Sequence, residues 1–289
     1  MKTNLFILLL CLNGVVNAQT KSTQAATPPR SFREWYYPDG IIMPNGTTPD
    51  DEVHGSTSRV EEFLVIANLT EHATTATLTY YFENDKPMTV TRAVPARGST
   101  VYNRAKFPEE HFPYKKLYGV KVTSPDPIMV QPTRAGSEEV PAGQLGGFHE
   151  FSMIAYPGPL GQRETKWTFP DGHMSRKVPT APGISREWIT ILNPGKQDAS
   201  VRITFNYVKE QPVMSITVPA ERVRTIALHD LEILKTNNAY YPVVESNVSI
   251  IVEQVRRPHS NLSRAPRSGW TLMGYPIGDV DFPVPVAPR

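Results

Sequence analysis

The fold is decided by a short stretch that occurs twice in the chain, as Trp35–Gly40 (WYYPDG) and again as Trp167–Gly172 (WTFPDG). Four further pairs of segments follow in the same order: Glu62–Asn68 with Glu187–Asn193, Val94–Ala96 with Val218–Ala220, Ser124–Arg134 with Ser246–Arg256, and Phe151–Pro157 with Trp270–Pro276. Chance explains one such match, but not five in the same order. The sequence therefore predicts a duplication, in which one domain occurs twice.

Both copies carry the residue pattern of β-strands. Apolar residues alternate with more polar ones along Ala76–Phe82 and Val201–Tyr207, which predicts strands with one face inward and one toward water. Phe63–Ala67 and Trp188–Leu192 are apolar at nearly every position, which predicts central strands covered on both faces. Breaks of Pro, Gly and Asn separate the strands, and no long helical periodicity is present. The fold class is therefore all-β, a sandwich or a barrel.

The composition agrees with an all-β chain and excludes several functions. Of 289 residues, 28 are proline, which interrupts helices and central strands alike. With 39% hydrophobic residues and a net charge of +2, the chain can bury a core but lacks the charge of a nucleic-acid-binding arm. The single cysteine excludes a disulfide scaffold and Cys-based zinc sites, and the histidines are scattered. Neither a metal nor a cofactor is expected.

The N-terminus has the pattern of a secretory signal peptide over residues 1–18. Lys2 precedes the apolar run Leu5–Leu12, and Val16–Ala18 forms a small-residue cleavage site. The run is shorter than the roughly 20 residues of a spanning helix, so we expect an exported protein, periplasmic or extracellular, with no membrane span after signal removal. The expected domain order is a flexible leader at 19–30, a first domain at 31–157, a linker at 158–165, a second domain at 166–280 and an extended C-terminal tail at 281–289.

The order of the repeated motifs resembles the sensory rhodopsin transducer family. The second copy carries the resemblance most fully, through Trp167–Gly172, Asn193–Gly195, Thr217–Ala220, Ser246–Val248 and Arg256. The first copy departs from it at Asn68–Thr70, where the Pro-Gly turn is missing, and at Ser124–Pro127. The two copies together cover nearly all of the mature chain.

This resemblance implies a small β-sandwich, jelly-roll-like domain, and hence two tandem β-sandwich domains in this chain. The members that give the family its name are cytoplasmic partners of a membrane photoreceptor, and relatives are thought to bind small ligands, sugars among them. An exported chain cannot reach a cytoplasmic partner, so the resemblance implies ligand binding more readily than photoreceptor signalling.

Two aspartates and two tryptophans recur at matched positions of the repeat. Asp39 and Asp171 each lie between proline and glycine, where they either form a tight turn or accept hydrogen bonds from sugar hydroxyls. Trp35 and Trp167 either pack in the core or stack on the face of a ligand.

Two glutamates and two arginines recur in the same way. Glu62 and Glu187 begin strands that are expected to be buried, where a carboxylate must be paired. Arg134 and Arg256 lie at matching strand ends, so each pair is either a structural ion pair or a polar site at the sandwich mouth. The predicted ligand-binding residues are Trp35, Asp39, Glu62, Arg134, Trp167, Asp171, Glu187 and Arg256.

These residues predict a non-catalytic protein that binds a small ligand or a glycan. The first alternative is a structural or adaptor module, which assembles with itself or with a protein partner through exposed sandwich edges. The second is a carbohydrate-active hydrolase, with Asp39 and Glu62, or Asp171 and Glu187, as carboxylates about 5 to 10 Å apart. No residue is assigned as catalytic, and the near-neutral charge predicts no nucleic-acid partner.

Overall fold

A computed structural model of the chain describes residues 32–41, 58–103, 117–138, 148–152, 155–173, 184–259, 270–273 and 275–276. The predicted signal peptide (1–18), leader (19–30) and C-terminal tail (281–289) lie outside the described residues. All described residues belong to one compact unit. None of the helices within them is long and apolar enough to cross a membrane.

The chain folds into two tandem β-sandwiches, as the sequence predicts. The first contains β1 (Phe32–Ile41), β2 (Ser58–Asn68), β3 (Thr74–Phe82), β4 (Met88–Val94), β5 (Gly98–Asn103), β6 (Leu117–Glu138), β7 (Phe148–Ser152) and β8 (Tyr156–Pro157). The second contains β9 (Lys166–Thr168), β10 (Gly172–His173), β11 (Ile184–Asn193), β12 (Ala199–Asn206), β13 (Val213–Val218), β14 (Arg222–Ala227), β15 (Ala239–Ser246), β16 (Ile251–His259), β17 (Trp270–Met273) and β18 (Tyr275–Pro276). Short 3-10 turns occupy Gln162–Thr165 and Leu228–Asp230.

The two sandwiches share one antiparallel topology. In the second, one sheet has the strand order β13-β12-β15-β9-β18, with β10 also paired to β15, and the other has the order β14-β11-β16-β17. In the first, the long strand β6 takes part in both sheets: Leu117–Thr123 pairs with β1 and β3, and Ile128–Glu138 pairs with β2 and β7. The second copy divides the same role between β15 and β16.

The alternating strands build the two cores. Ala76, Leu78 and Tyr80 of β3 are fully buried, and Val201 and Ile203 of β12 occupy the matching positions in the second core. The residues between them point outward and are partly or fully exposed. The period-two pattern therefore predicts both strands correctly.

The prediction of strands covered on both faces is confirmed for Ile189–Leu192 of the second copy, although Trp188 is half-buried, and it is wrong for the first copy. In β11, Ile189, Thr190, Ile191 and Leu192 are all buried. In β2, residues 63, 65 and 67 are only half-buried, while their neighbours face the core. The difference arises because the first sandwich covers the outer face of β11.

The two sandwiches contact each other directly. Strands β1, β3 and β6 of the first lie against β11, β14 and β16 of the second. Tyr36 and Tyr81 of the first sandwich belong to the same buried cluster as the core of the second. At the centre, Gly119 is so close to Leu192 that a Cβ on Gly119 would lie 2.8 Å from the leucine Cδ1. Neighbouring copies of one domain therefore form a packed junction in which glycine admits a large side chain.

The linker is bonded to both sandwiches around Glu164, whose side chain is buried. Glu164 accepts hydrogen bonds from the Gly161 backbone N–H and the Tyr156 hydroxyl, both at 2.6 Å. Ser249 donates to the Gly161 carbonyl at 2.6 Å, and the Ile250 N–H donates to the Glu164 carbonyl at 3.0 Å. These bonds fix the chain that joins the two domains.

A buried asparagine closes two loops in each copy. The Asn193 side-chain amide donates to the carbonyls of Gln197, Val218 and Pro219 at 2.8 to 3.1 Å, and its oxygen accepts from the Gly195 N–H. Asn68 does the same in the first copy, although the Pro-Gly turn is absent there. The asparagine, and not the Pro-Gly pair, is thus the common structural element.

Candidate functional site

The two repeated tryptophans are core residues in both copies. The Trp35 indole N–H donates to the carbonyls of Phe32 and Ile128 at 3.2 and 3.0 Å. The Trp167 indole N–H donates to those of Glu164 and Ile250, both at 3.0 Å. Both rings are buried, so neither offers a face on which a sugar could stack. Their placement corresponds to the core-packing alternative.

The Pro-Asp-Gly motif is not a tight turn in the first copy, which corrects the sequence-based expectation. Pro38, Asp39 and Gly40 lie inside β1, at a register shift between Tyr37 and Gly40. The glycine lies on a tyrosine ring, where a Cβ would come within 2.0 Å of Tyr118. The motif therefore forms a bulge in the strand, and only glycine leaves room for the ring.

The second copy repeats this glycine–tyrosine contact. A Cβ on Gly172 would lie 2.5 Å from the ring of Tyr240, and Gly172 is paired with Tyr240 between β10 and β15. The preceding Pro170 lies at a bend between β9 and β10. In both copies the glycine positions a tyrosine whose hydroxyl reaches the repeated glutamate.

In the second sandwich, Glu187 is the centre of a buried polar cluster. Its side chain has no exposed surface. Its carboxylate accepts hydrogen bonds from the His173 N–H at 2.9 Å, the Tyr240 hydroxyl at 2.5 Å, the Gln254 amide at 3.3 Å and the Arg256 guanidinium. Burial raises the pKa of Tyr240 far above its ordinary range, and the Glu187 charge raises it further, so the hydroxyl remains a donor.

Arg256 connects this cluster to solvent through Asp171. Its Nη1 lies 3.3 Å from Asp171 Oδ2, while its Nε and Nη2 face Glu187. The Asp171 side chain is 60% exposed. Asp171 and Glu187 therefore bind one guanidinium from two sides. A carboxylate as enclosed as Glu187 cannot contact a substrate in this arrangement, which is that of a structural ion pair.

The first sandwich places the equivalent residues together by register. Glu62 is buried and accepts a hydrogen bond from Tyr118, and it is paired with Arg134 between β2 and β6. The side chain of Arg134 lies outside the described residues. Asp39 is buried, in contrast to the exposed Asp171. Among the predicted residues with a described side chain, Asp171 thus presents the most exposed polar group.

A cleft between the two sandwiches was not predicted from the sequence. It has a volume of about 440 Å³ and is lined by Tyr36 and Lys121 of the first sandwich, Leu160 of the linker, and Pro194–Gln197, Val248 and Ser249 of the second. These residues come from both copies and the linker, so no local motif marks them. The nearest signal is Pro194-Gly195, the turn that the first copy lacks.

The cleft combines cations, hydroxyls and apolar surface. On one wall, the Tyr36 hydroxyl donates to Glu34 at 2.7 Å, and Lys121 Nζ lies 3.3 Å from the same carboxylate. Burial and then the bond to Glu34 raise the pKa of Tyr36 above its ordinary range. On the other wall, Lys196 Nζ lies 2.6 Å from Glu221 and its side chain is largely exposed. Two ammonium groups thus flank the cleft, each with a carboxylate beside it.

The described residues contain no cluster of three or more His, Cys, Asp or Glu side chains that could hold a metal ion.

Comparison with known proteins identifies the domain. The profile of a family described as Anabaena sensory rhodopsin transducer matches residues 31–146 and again residues 161–276. A crystal structure of a Thermotoga maritima protein is similar at 26% identity over 38% of this chain and 92% of its own, with a TM-score of 0.33. The Anabaena transducer itself is similar at 31% identity over 31% of this chain and 91% of its own, with a TM-score of 0.26. A search of curated proteins returned no significant match.

Proposed function

The chain belongs to the Anabaena sensory rhodopsin transducer family through both of its sandwiches, and from that premise we propose that it is an exported, non-catalytic protein that binds a small polar ligand or glycan. The cleft between the sandwiches is the observation that carries this proposal. Its volume of about 440 Å³ falls within the range of small-molecule pockets.

The lining of the cleft indicates the chemistry of the ligand. Lys121 and Lys196 supply ammonium donors, Ser249 supplies a hydroxyl, and Leu160 and Val248 supply apolar surface. Carboxylates next to both lysines balance their charge, so the cleft favours a ligand with several hydroxyls and at most a small negative charge. Sugars and sugar acids have this character.

The junction also provides rigidity to the site. The linker is bonded to the second sandwich and Gly119 packs on Leu192, so both walls of the cleft are held in place. A site whose walls are fixed before binding loses little free energy to ordering.

Ligand binding is tested by thermal unfolding of the purified protein with a panel of monosaccharides, oligosaccharides and small acids. A ligand that binds only the folded state at a hundred times its Kd stabilises it by about 2.7 kcal/mol and raises the Tm. A parallel assay for product formation separates binding from hydrolysis.

The chain offers a matched control for the site. Lys196 pairs with Glu221 at the cleft, and Glu71 pairs with Arg97 at the equivalent place in the first copy, with the charges reversed. K196A should reduce the Tm shift caused by the ligand, whereas E71A should leave it unchanged. No shift with any compound, or equal shifts in both variants, would overturn the cleft assignment. D171N tests the exposed part of the predicted sandwich-mouth site in the same assay. It should reduce the Tm shift only if the ligand binds at the mouth of the second sandwich.

Export rests on residues 1–18. We expect the secreted protein to begin at Gln19, and we expect removal of residues 2–18 to retain it inside the cell. Cleavage would also remove Cys11 and leave a chain without thiols, which suits an oxidising compartment. N-terminal sequencing of the protein recovered outside the cytoplasm checks this directly.

The second candidate function is an assembly or adaptor module. One specific observation favours it. Val101 of the first sandwich and Tyr241 of the second are exposed, whereas the equivalent sheet face of the other sandwich is buried in the junction between the two domains.

A further inference from the structure

The C-terminal tail leaves the second sandwich at the edge of one of its sheets. Strand β18 ends at Pro276, which is paired with Trp167 of β9, and β9 is paired in turn with β15. Residues 277–289 follow and lie outside the described residues. A segment of that length spans about 40 Å when extended, whereas the strands from β13 to β18 span about 20 Å. The tail is therefore long enough to cross the whole face of the sheet.

The outer face of this sheet carries an apolar patch. Tyr241 of β15 and Val213 of β13 are each 40% exposed. Val243 of β15 is half-buried, and the register places it in one row with Val213, because both are paired with Thr204 of β12. We call Val213, Tyr241 and Val243 the sheet patch. Apolar side chains exposed together on one face form a candidate docking surface.

A row of charged side chains lies beside the sheet patch, on the side toward which β18 runs. Glu245 is paired with Lys166 of β9 and with Arg202 of β12. The Lys166 ammonium lies 3.0 Å from the Glu245 carboxylate, and the Arg202 side chain is exposed. Two cations share one carboxylate, so the row carries a net positive charge and favours an acidic segment.

The tail has a sequence that fits these two surfaces in order. Asp279 and Asp281 come first, and the run Phe282–Val286 follows, in which every second residue is proline. Proline has no N–H to donate, so this run cannot add a full strand to the sheet edge. It favours the extended polyproline II conformation, which binds through its side chains to exposed aromatic residues. Tyr241 is such a residue.

The distances allow this order. Trp167 is paired with Val244, which lies close to Tyr241 on β15, so strand geometry puts Pro276 about 14 Å from Tyr241. The chain from Pro276 to Val284 spans about 25 Å when extended. The apolar run therefore reaches the sheet patch even after the chain turns back from the charged row.

In the first copy, the equivalent chain segment lies on the equivalent face. Strand β8 pairs with β1 as β18 pairs with β9. The Gly158 N–H, directly after β8, donates to the Glu34 carbonyl at 2.7 Å, and a Cβ on Gly158 would lie 2.9 Å from the Tyr36 ring. Leu160 then packs against the buried cluster that contains Tyr36. The chain that leaves this strand thus runs onto the outer face of the sheet in the copy where both are described.

We propose that the C-terminal tail folds back as a strap over the outer face of this sheet in its own chain. Its two aspartates lie against Lys166 and Arg202, and the run Phe282–Val286 lies on the sheet patch. The strap gives the second sandwich a cover on the face that, in the first sandwich, is covered by the second. It removes Tyr241 from water, and it competes with any protein partner for that side chain.

Disulfide trapping in the whole chain tests the strap. Cys11 is the single cysteine, so C11S provides a background without thiols. In that background, Y241C with V284C should form a disulfide within one chain under mild oxidation, because the strap holds the two positions together. I233C with V284C is the matched control, since Ile233 is 41% exposed and lies outside the strands of the sheet. It should react at least about tenfold more slowly.

Thermal unfolding of alanine variants gives a second readout. F282A should lower the Tm by about 2 to 4 °C, because the tail loses its largest apolar side chain. In a Y241A background the same substitution should have no effect, since the contact is already lost. V213C with V284C replaces the first cysteine pair if Y241C does not fold.

Three results would each overturn the proposal. The first is an equal rate of disulfide formation in the test and control pairs. The second is a disulfide that forms only between chains, which would show that the face takes a second chain instead. The third is a loss of Tm in F282A that is unchanged in the Y241A background.

Discussion

Gly119 of the first sandwich and Leu192 of the second meet so closely that a Cβ on the glycine would lie 2.8 Å from the leucine Cδ1. This contact lies at the centre of the junction that fixes the two domains and shapes the cleft beside them.

Gly119→Val should destabilise the protein by about 1 to 3 kcal/mol, because it overfills a packed junction. Leu192→Ala in the same chain should restore part of the loss by making room, which a double-mutant cycle of urea unfolding would measure. Gly161→Ala is the control, since a Cβ there would lie 3.7 Å from its nearest neighbour. Additive effects of the two junction substitutions would contradict direct packing.

Glu187→Gln should cost about 3 kcal/mol or more, because it leaves Arg256 without its buried counter-charge. Asp171→Asn removes only the exposed partner of the same arginine, so its cost should stay below about 1 kcal/mol. Chemical unfolding monitored by tryptophan fluorescence compares the two. Equal losses would show that Glu187 is not the main partner of Arg256.

Asn193→Ala should destabilise by about 2 kcal/mol or more, because it leaves three loop carbonyls without their donor. Asn68→Ala should behave similarly, since the same side chain closes the equivalent loops. Asn238→Ala, at an exposed position, serves as the reference. A neutral Asn68→Ala would mean that the two copies close these loops by different means.

Stability should fall at alkaline pH in a way that depends on Tyr81. Burial raises the pKa of Tyr81 from its ordinary 10.0 to about 12. The folded state therefore keeps a proton that the unfolded state releases, so its stabilising effect is complete below pH 10 and is lost as the pH rises through about 12. Tyr81→Phe should lessen the slope of unfolding free energy against pH in that window. An unchanged slope would contradict the shift.

The local pattern of apolar and polar residues predicts much of this fold, because a strand that is buried on one face has an apolar residue at every second position. The alternation in Ala76–Phe82 and Val201–Tyr207 predicts both strands correctly. The same reasoning fails for Phe63–Ala67, because similar apolar runs are covered on both faces only in the second copy. What covers β11 is another domain, and that is a long-range property.

The candidate site, too, is predicted from local sequence only in part. The pairing of Glu187 with Arg256 follows from the need to compensate a buried charge. The role of Trp167 cannot be read from the sequence, because tryptophan is equally suited to stacking on a ligand and to filling a core. The cleft has no sequence motif at all, since Lys121 and Lys196 become neighbours only through the packing of two copies.

The location of the bound ligand tests the central claim most directly. Backbone amide NMR of the 32.3 kDa chain, titrated with the compound that gives the largest thermal shift, would map the contact residue by residue. The cleft assignment predicts the largest shifts at Gly195, Lys196, Gln197 and Ser249. Shifts concentrated at Asp171, Gly172 and His173 would place the ligand at the mouth of the second sandwich and contradict it.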